Sequence, residues 1–211
     1  MSERLKEISD KVIAGKSKVV VGLVQNAIDA GEAPGDVLNA MISAMDIIGQ
    51  KFHNNEVFVP EMLVSARAMK KGVAVLKPYM SDNDGPRLGK VIIGTVEGDL
   101  HDIGKNLVSM MIESAGFEVI DLGVDVPKEK FMEAYEANPD TKIICLSALL
   151  TTTMGAMKDT VALFNGQPFR SKIRVMIGGA PITEKVAEEI GADGYTEDAA
   201  SAATMAKSLV A

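Results

Sequence analysis

The chain has 211 residues, 47% of them apolar and 24% charged, with a net charge of −7. That apolar content supports packed cores and excludes wholesale disorder, while the acidic balance excludes non-specific nucleic-acid binding, which needs basic surface to displace counterions. One cysteine, Cys145, and two histidines, His53 and His101, exclude an intrachain disulfide and a cysteine-rich zinc site.

The charged start, Met1-Ser-Glu-Arg-Leu-Lys-Glu, carries no apolar signal segment. No apolar run reaches the roughly 20 residues of a membrane span. We therefore expect a cytoplasmic protein with neither membrane nor nucleic acid as a partner.

Residues 1–80 read as helices throughout. Leu5, Ile8 and Val12 recur at helical spacing behind Ser2, and Val20, Val24, Ala27 and Ile28 do so behind Ser17, with Gly31 as a stop. Pro34 suits the first turn of a third helix striped by Val37, Leu38, Met41, Met45 and Ile48. Phe58 and Val59 read as an extended link, after which Pro60 opens a fourth helix. Short connections between four helices predict a bundle. Residues 78–89 lose all periodicity and carry two prolines and two glycines, so the interdomain linker is placed there, with 81–89 as its strict span.

The rhythm then changes over 90–211. Apolar runs begin at Lys90, Phe117, Ile143, Ile173 and, more weakly, Asp193. Helical patterns follow each of them, from about Asp102, Pro127, Thr153, Pro181 and Glu197. Alternation of this kind predicts a five-stranded parallel sheet covered on both faces, a doubly wound, flavodoxin-like (Rossmann-like) domain. Ligands in that architecture sit beyond the carboxyl ends of the strands.

The loop after the first strand fails two phosphate-binding patterns. A Walker-type loop ending at Gly104-Lys105 needs glycine where Asp99 stands and Ser or Thr where Asn106 stands. The dinucleotide fingerprint fails because Asp99 and Leu100 follow Gly98. The loop instead offers Asp99 and His101 two residues apart, with Gly104 behind them. A carboxylate at that spacing can hold one ring N–H and raise the basicity of the other nitrogen, and a glycine admits a bulky group. Helix-start capping explains the same pair. After the third strand, Ser147, Thr151, Thr152 and Thr153 place four hydroxyls at the same sheet edge, more than one cap requires. Gly178 and Gly179 then clear side chains from the end of the fourth strand.

Asp99-Leu-His101-Asp-Ile-Gly104, Ser147-Ala-Leu149 and Gly178-Gly179 together resemble the corrinoid-binding module of methionine synthase and of the small corrinoid proteins of methyltransferase systems. The flanks from Gly98 to Asn106 and from Asp121 to Pro127 share the likeness. So do Val59-Pro60-Glu61 and Ser65-Ala66-Arg67 in the helical half.

The resemblance implies a helical cap over a cobalamin or related corrinoid bound base-off. His101 would be the lower axial ligand of cobalt, Asp99 would hold its other nitrogen, and Thr153 would stand beyond the Asp, where methionine synthase has Ser. These three are the catalytic expectation. Gly98, Asp102, Ile103, Gly104 and Leu149 would surround the cofactor. Ser147 and Thr151 would contact its displaced nucleotide tail, and Gly178 and Gly179 would line the slot for that tail. Phe58 and Met62 are the expected cap contacts over the upper face, with bundle core as the alternative. For His53 and Cys145 we expect no role beyond a polar helix end and a small core side chain.

The chain has no room for the substrate barrels of methionine synthase. The resemblance therefore implies a non-autonomous methyl carrier with methylcobalamin as its intermediate. A substrate:corrinoid methyltransferase would charge it from methanol, a methylamine, a betaine or a methoxylated aromatic. A second methyltransferase would discharge it to tetrahydrofolate or coenzyme M, and a reductive activase would service it. Such a carrier must expose its cobalt, so the linker is expected to move. A cobalamin sensor or regulator is the alternative, although the basic or signalling segment such proteins add is missing from this sequence. A response regulator would need an acidic residue where the third strand ends in Cys145-Leu-Ser147, and an isomerase would need a barrel.

Overall fold

Local chemistry sets where the helices begin and end. In the computed structural model, which describes residues 2–80 and 88–211, Ser2 accepts the N–H of Leu5 at 3.3 Å and opens α1 (Glu3–Ile13). Helix α2 (Ser17–Asp29) ends where Gly31 turns left-handed at φ +86°, and the N–H of Glu32 closes back on the carbonyl of Ala27. Helix α3 (Pro34–His53) has proline in its first turn. Helix α4 (Val59–Leu76) starts one residue before Pro60. The Glu61 carboxylate accepts the N–H of Phe58, so proline takes the second helical position. These helices form one unit, with Ile8, Val12, Val24, Met41, Ile48, Met62 and Met69 buried.

A 3₁₀ turn at Lys77–Tyr79 follows α4, where part of the linker was expected, and the Tyr79 hydroxyl accepts from Gln25 Nε2 at 3.2 Å. Residues 81–87 of the expected linker lie outside the described residues.

The second unit spans 88–113 and 117–211. Its strands are β1 (Lys90–Thr95), β2 (Glu118–Asp121), β3 (Thr141–Ser147), β4 (Arg174–Gly178) and β5 (Gly194–Tyr195). All are parallel, in the order β2-β1-β3-β4-β5. The interleaved helices are α5 (Ile103–Ser114), α6 (Lys128–Ala137), α7 (Met154–Asn165), α8 (Glu184–Ile190) and α9 (Ala199–Val210).

The central strands are apolar at successive positions through their middles because helices cover both faces; Ile92, Ile143, Ile144 and Val175 are fully buried. Helix α8 begins at Glu184, three residues beyond Pro181, because Thr183 accepts the N–H of Val186. Helix α9 begins at Ala199 for the same reason, with Asp198 accepting from Ser201 at 2.8 Å.

Strand order reverses between β1 and β3, so the connections that leave their carboxyl ends pass to opposite faces of the sheet, the place where doubly wound folds hold ligands. Thr95 is paired with Ser147, and Ser147 with Gly178, so all three expected loops leave the sheet side by side.

Candidate functional site

The site grows from the end of β1. The N–H of Val96 donates to the carbonyl of Ser147, and Gly98 turns the chain at φ +81°. Asp99 then folds back with its side chain fully buried. One oxygen, Oδ1, accepts the backbone N–H of His101 at 3.0 Å and lies 2.6 Å from the ring Nδ1. The other, Oδ2, accepts the N–H groups of Leu149 (2.7 Å) and Leu150 (3.2 Å) and the Thr153 hydroxyl (3.0 Å).

Burial alone would push the Asp99 carboxyl up. The amides of Leu149 and His101, the His101 ring and the Thr153 hydroxyl outweigh it and hold the carboxyl well below the usual carboxylate range. Asp99 is therefore an anion that only accepts. Nδ1 of His101 must carry the ring proton, which leaves a lone pair on Nε2. The His101 side chain is 50% exposed and no described residue bonds Nε2.

The capping alternatives do not describe these residues. Asp99 bonds the amide two residues on, in an Asx turn, and α5 begins only at Ile103. Thr153 stands at the N-cap of α7 but does not cap it; its hydroxyl faces Asp99 and the Leu150 carbonyl.

Around His101 the surface is apolar and open. Ile103 is 85% exposed and Leu100 72%, with Leu149 and Leu150 also exposed. A Cβ at Gly104 would meet nothing within 4 Å. Asp102 is exposed and its carboxylate accepts from Asn106 at 3.0 Å. Ser147 is half-buried at the end of β3, and Thr151 is exposed on the turn before α7. Gly178 is half-buried, while Gly179 adopts φ +131°. A Cβ at Gly179 would fall 1.8 Å from the Ala148 carbonyl oxygen, so only glycine lets β4 end there.

Phe58 and Met62 belong to the helical unit. Phe58 is 64% exposed at the start of α4, whereas Met62 is fully buried. His53 is an exposed helix end. Cys145 is buried, which pushes its thiol up to about 12. No group of three or more His, Cys, Asp or Glu able to hold a metal occurs among the described residues.

Several participants escaped sequence reasoning. The Leu149 and Leu150 amides have no side-chain signature. Lys105, in the first turn of α5, is buried and ion-paired to Asp121 at the end of β2 (2.5 Å), with Asn106 Oδ1 at 2.7 Å. Asp121 also accepts the N–H of Gly123. Both residues lie in flanks that share the family likeness, but their pairing across 16 residues had no signal in the sequence.

Two family models, both described as B12 binding domains, match residues 4–77 and 89–204. A dimethylamine corrinoid protein from Methanosarcina barkeri is 42% identical over 211 residues, 99% of this chain and 98% of its own. A chain of the methanol:cobalamin methyltransferase complex from Methanosarcina barkeri superposes with a TM-score of 0.85 at 31% identity, over 99% of this chain and 80% of that one. A cobalamin-binding protein from Desulfitobacterium hafniense DCB-2 superposes with a TM-score of 0.81 at 28% identity, over 98% of each chain.

Proposed function

We propose that this chain, which belongs to the B12-binding family of corrinoid proteins, carries a methyl group on cobalt between two partner methyltransferases, with His101 as the protein ligand. The carrying observation is the buried Asp99 anion. It commits the ring proton of His101 to Nδ1 and leaves a free lone pair on Nε2 of a half-exposed side chain at a sheet edge.

The residues present fit a corrinoid. A corrin brings four ring nitrogens, so one protein ligand suffices, and no larger ligand cluster is needed. Its broad macrocycle suits the apolar rim of Leu100, Ile103, Leu149 and Leu150 and the bare surface at Gly104. Ser147 and Thr151 would hold the nucleotide tail beside Gly178 and Gly179. The bound cofactor supplies a cobalt centre that accepts and gives up a methyl group. The chain orients the ligand nitrogen and keeps water from the buried Asp99–Thr153 bond. Asp99 would keep its bond to Nδ1 whether or not a metal stood at Nε2, so the ring would hold its orientation throughout. Phe58 is the stronger candidate for the cap contact, since Met62 has no exposed surface.

The names of the similar proteins favour a methylamine, dimethylamine first, as the methyl source, delivered by a substrate:corrinoid methyltransferase. A second methyltransferase would pass the methyl to tetrahydrofolate or coenzyme M, a reductive activase would restore oxidised cobalt, and all would share the cytoplasm.

The test begins with reconstitution in hydroxocobalamin followed by desalting. Stoichiometric corrin bands are expected, and in the cobalt(II) state the electron paramagnetic resonance spectrum should show coupling to one nitrogen that His101→Ala abolishes. A folded protein that stays colourless, or coupling that survives His101→Ala, would refute the reading. Charging with dimethylamine and its partner methyltransferase, in competition with methanol and its own, then tests the donor.

A further inference from the structure

The histidine loop is fastened at two points outside the three motifs. The hydroxyl of Thr95, a fully buried residue closing β1, donates to the carbonyl of His101 at 2.8 Å. Asp125, in the loop after β2, makes a reciprocal clamp: its Oδ1 accepts the N–H of Gly98 at 2.7 Å, and its own N–H donates to the carbonyl of Asp99 at 2.9 Å. It does so in the left-handed region, at φ +53°, a conformation that Asn, Asp and Gly tolerate best. The backbone of the loop is thus bonded at Gly98, at Asp99 and at both ends of His101, whose N–H is held by Asp99 Oδ1.

Asp99 fixes the tautomer and one edge of the ring. Its carboxylate is anchored by Leu149, Leu150 and Thr153, but those bonds hold a side chain; among the described residues, the backbone from Gly98 to His101 that carries the ring is held from outside the loop by Thr95 and Asp125. We infer that Thr95 and Asp125 are positioning residues that mount His101, Thr95 from the carboxyl end of β1 and Asp125 from the loop after β2, so that Nε2 is held where the metal of a bound macrocycle would need it. The inference rests on the proposed corrinoid role. A ligand that must re-form the same bond after every transfer gains from a mount that stays rigid while the bond is broken.

The experiment uses the full chain reconstituted with hydroxocobalamin and reduced to cobalt(II), with Thr95→Val, Thr95→Ser, Asp125→Gly and Asp125→Asn beside the unaltered protein. Valine keeps the shape of Thr95 but leaves the His101 carbonyl unpartnered, and serine restores the donor. Glycine accepts φ +53° but removes the acceptor for Gly98, and asparagine restores it. The ratio of nitrogen-coupled to uncoupled cobalt(II) should fall roughly five- to tenfold in Thr95→Val and Asp125→Gly, the scale of one lost hydrogen bond. It should return in Thr95→Ser and Asp125→Asn. Amide exchange on the corrin-free proteins should show faster exchange at the Asp99–His101 amides in the same two variants, which reads the mount without the metal. Unchanged coupling in a folded Thr95→Val or Asp125→Gly protein, whatever its thermal midpoint, would overturn the inference and leave a merely structural threonine and aspartate. Absence of nitrogen coupling from the unaltered protein would overturn the corrinoid role itself, and the inference with it.

Discussion

Replacing Asp99 by Asn changes one atom at the centre of five donors. Oδ2 receives two backbone N–H groups and a hydroxyl, whereas Oδ1 receives one backbone N–H and a ring nitrogen that can exchange donor for acceptor. The amide oxygen of Asn therefore takes the Oδ2 position, and its NH2 faces His101. Nδ1 must then accept, and the ring proton moves to Nε2, where it occupies the lone pair a metal would use. The backbone N–H of His101 loses its partner as well. One unmade hydrogen bond beside a buried group costs about 1–3 kcal/mol. The direction with pH is also fixed. Because the folded carboxyl is held below its ordinary value near about 3.9, its contribution is complete above that value and is lost as pH falls below it. The stability gap between the unaltered protein and Asp99→Asn should thus narrow below about pH 4. Nitrogen-15 shifts of the corrin-free protein report which ring nitrogen is protonated, and denaturation at pH 7 and pH 3 reports the gap. A variant whose Nδ1 keeps the proton, with unchanged cobalt coupling, would show that Asp99 does not set the tautomer.

Two glycines should behave oppositely. Gly179→Ala forces a Cβ against the Ala148 carbonyl at φ +131° and should cost about 3 kcal/mol or more, read as a lowered unfolding midpoint. Gly104→Ala meets open space in the first turn of α5, so the midpoint should hold or rise while corrin affinity falls. Thr153→Val removes a donor to a buried anion and should destabilise by about 1–2 kcal/mol, with Thr153→Ser close to the unaltered protein in the same denaturation curve. For the Lys105–Asp121 pair the cost should be asymmetric. Asp121→Ala strands a buried ammonium with only Asn106 and should cost about 3–5 kcal/mol. Lys105→Met leaves a partly exposed carboxylate that still has Gly123, and should cost less than half as much in parallel urea titrations.

The alternation of apolar runs with helical stripes made the parallel sheet legible, because buried parallel strands cannot hide their composition. Helix starts were less legible. Pro181 and Glu197 drew the expected boundaries toward themselves, yet Thr183 and Asp198 own the side-chain oxygens that receive the first free amides. The Asp99–His101 pair could be read from its spacing of two, since one Asx turn accounts for it. Thr153 was visible as one of four hydroxyls after the third strand, but its bond to Asp99, 54 residues away, came into view only through resemblance. Leu149 and Leu150 contribute through their backbones, which no composition reveals. Thr95 read as part of an apolar strand run, and Asp125 lay in the flank from Asp121 to Pro127 that shares the family likeness, with no role assigned to either. Their bonds to the histidine loop depend on a hydroxyl direction and a positive φ, and both are set by tertiary structure.

The crossover that seats β3 beside β1 also fixes an order of biogenesis. The carboxylate that commits His101 to one tautomer takes three of its five donors from residues 149, 150 and 153, about 50 positions downstream. A nascent chain that has passed His101 but not yet Thr153 contains the histidine without the bonds that fix its tautomer. On the proposed reading of His101 as the cobalt ligand, cofactor loading would be a late event, gated by completion of the third strand and the turn behind it. Ribosome-stalled chains halted on either side of that turn should differ in corrin capture as a step and not as a gradient.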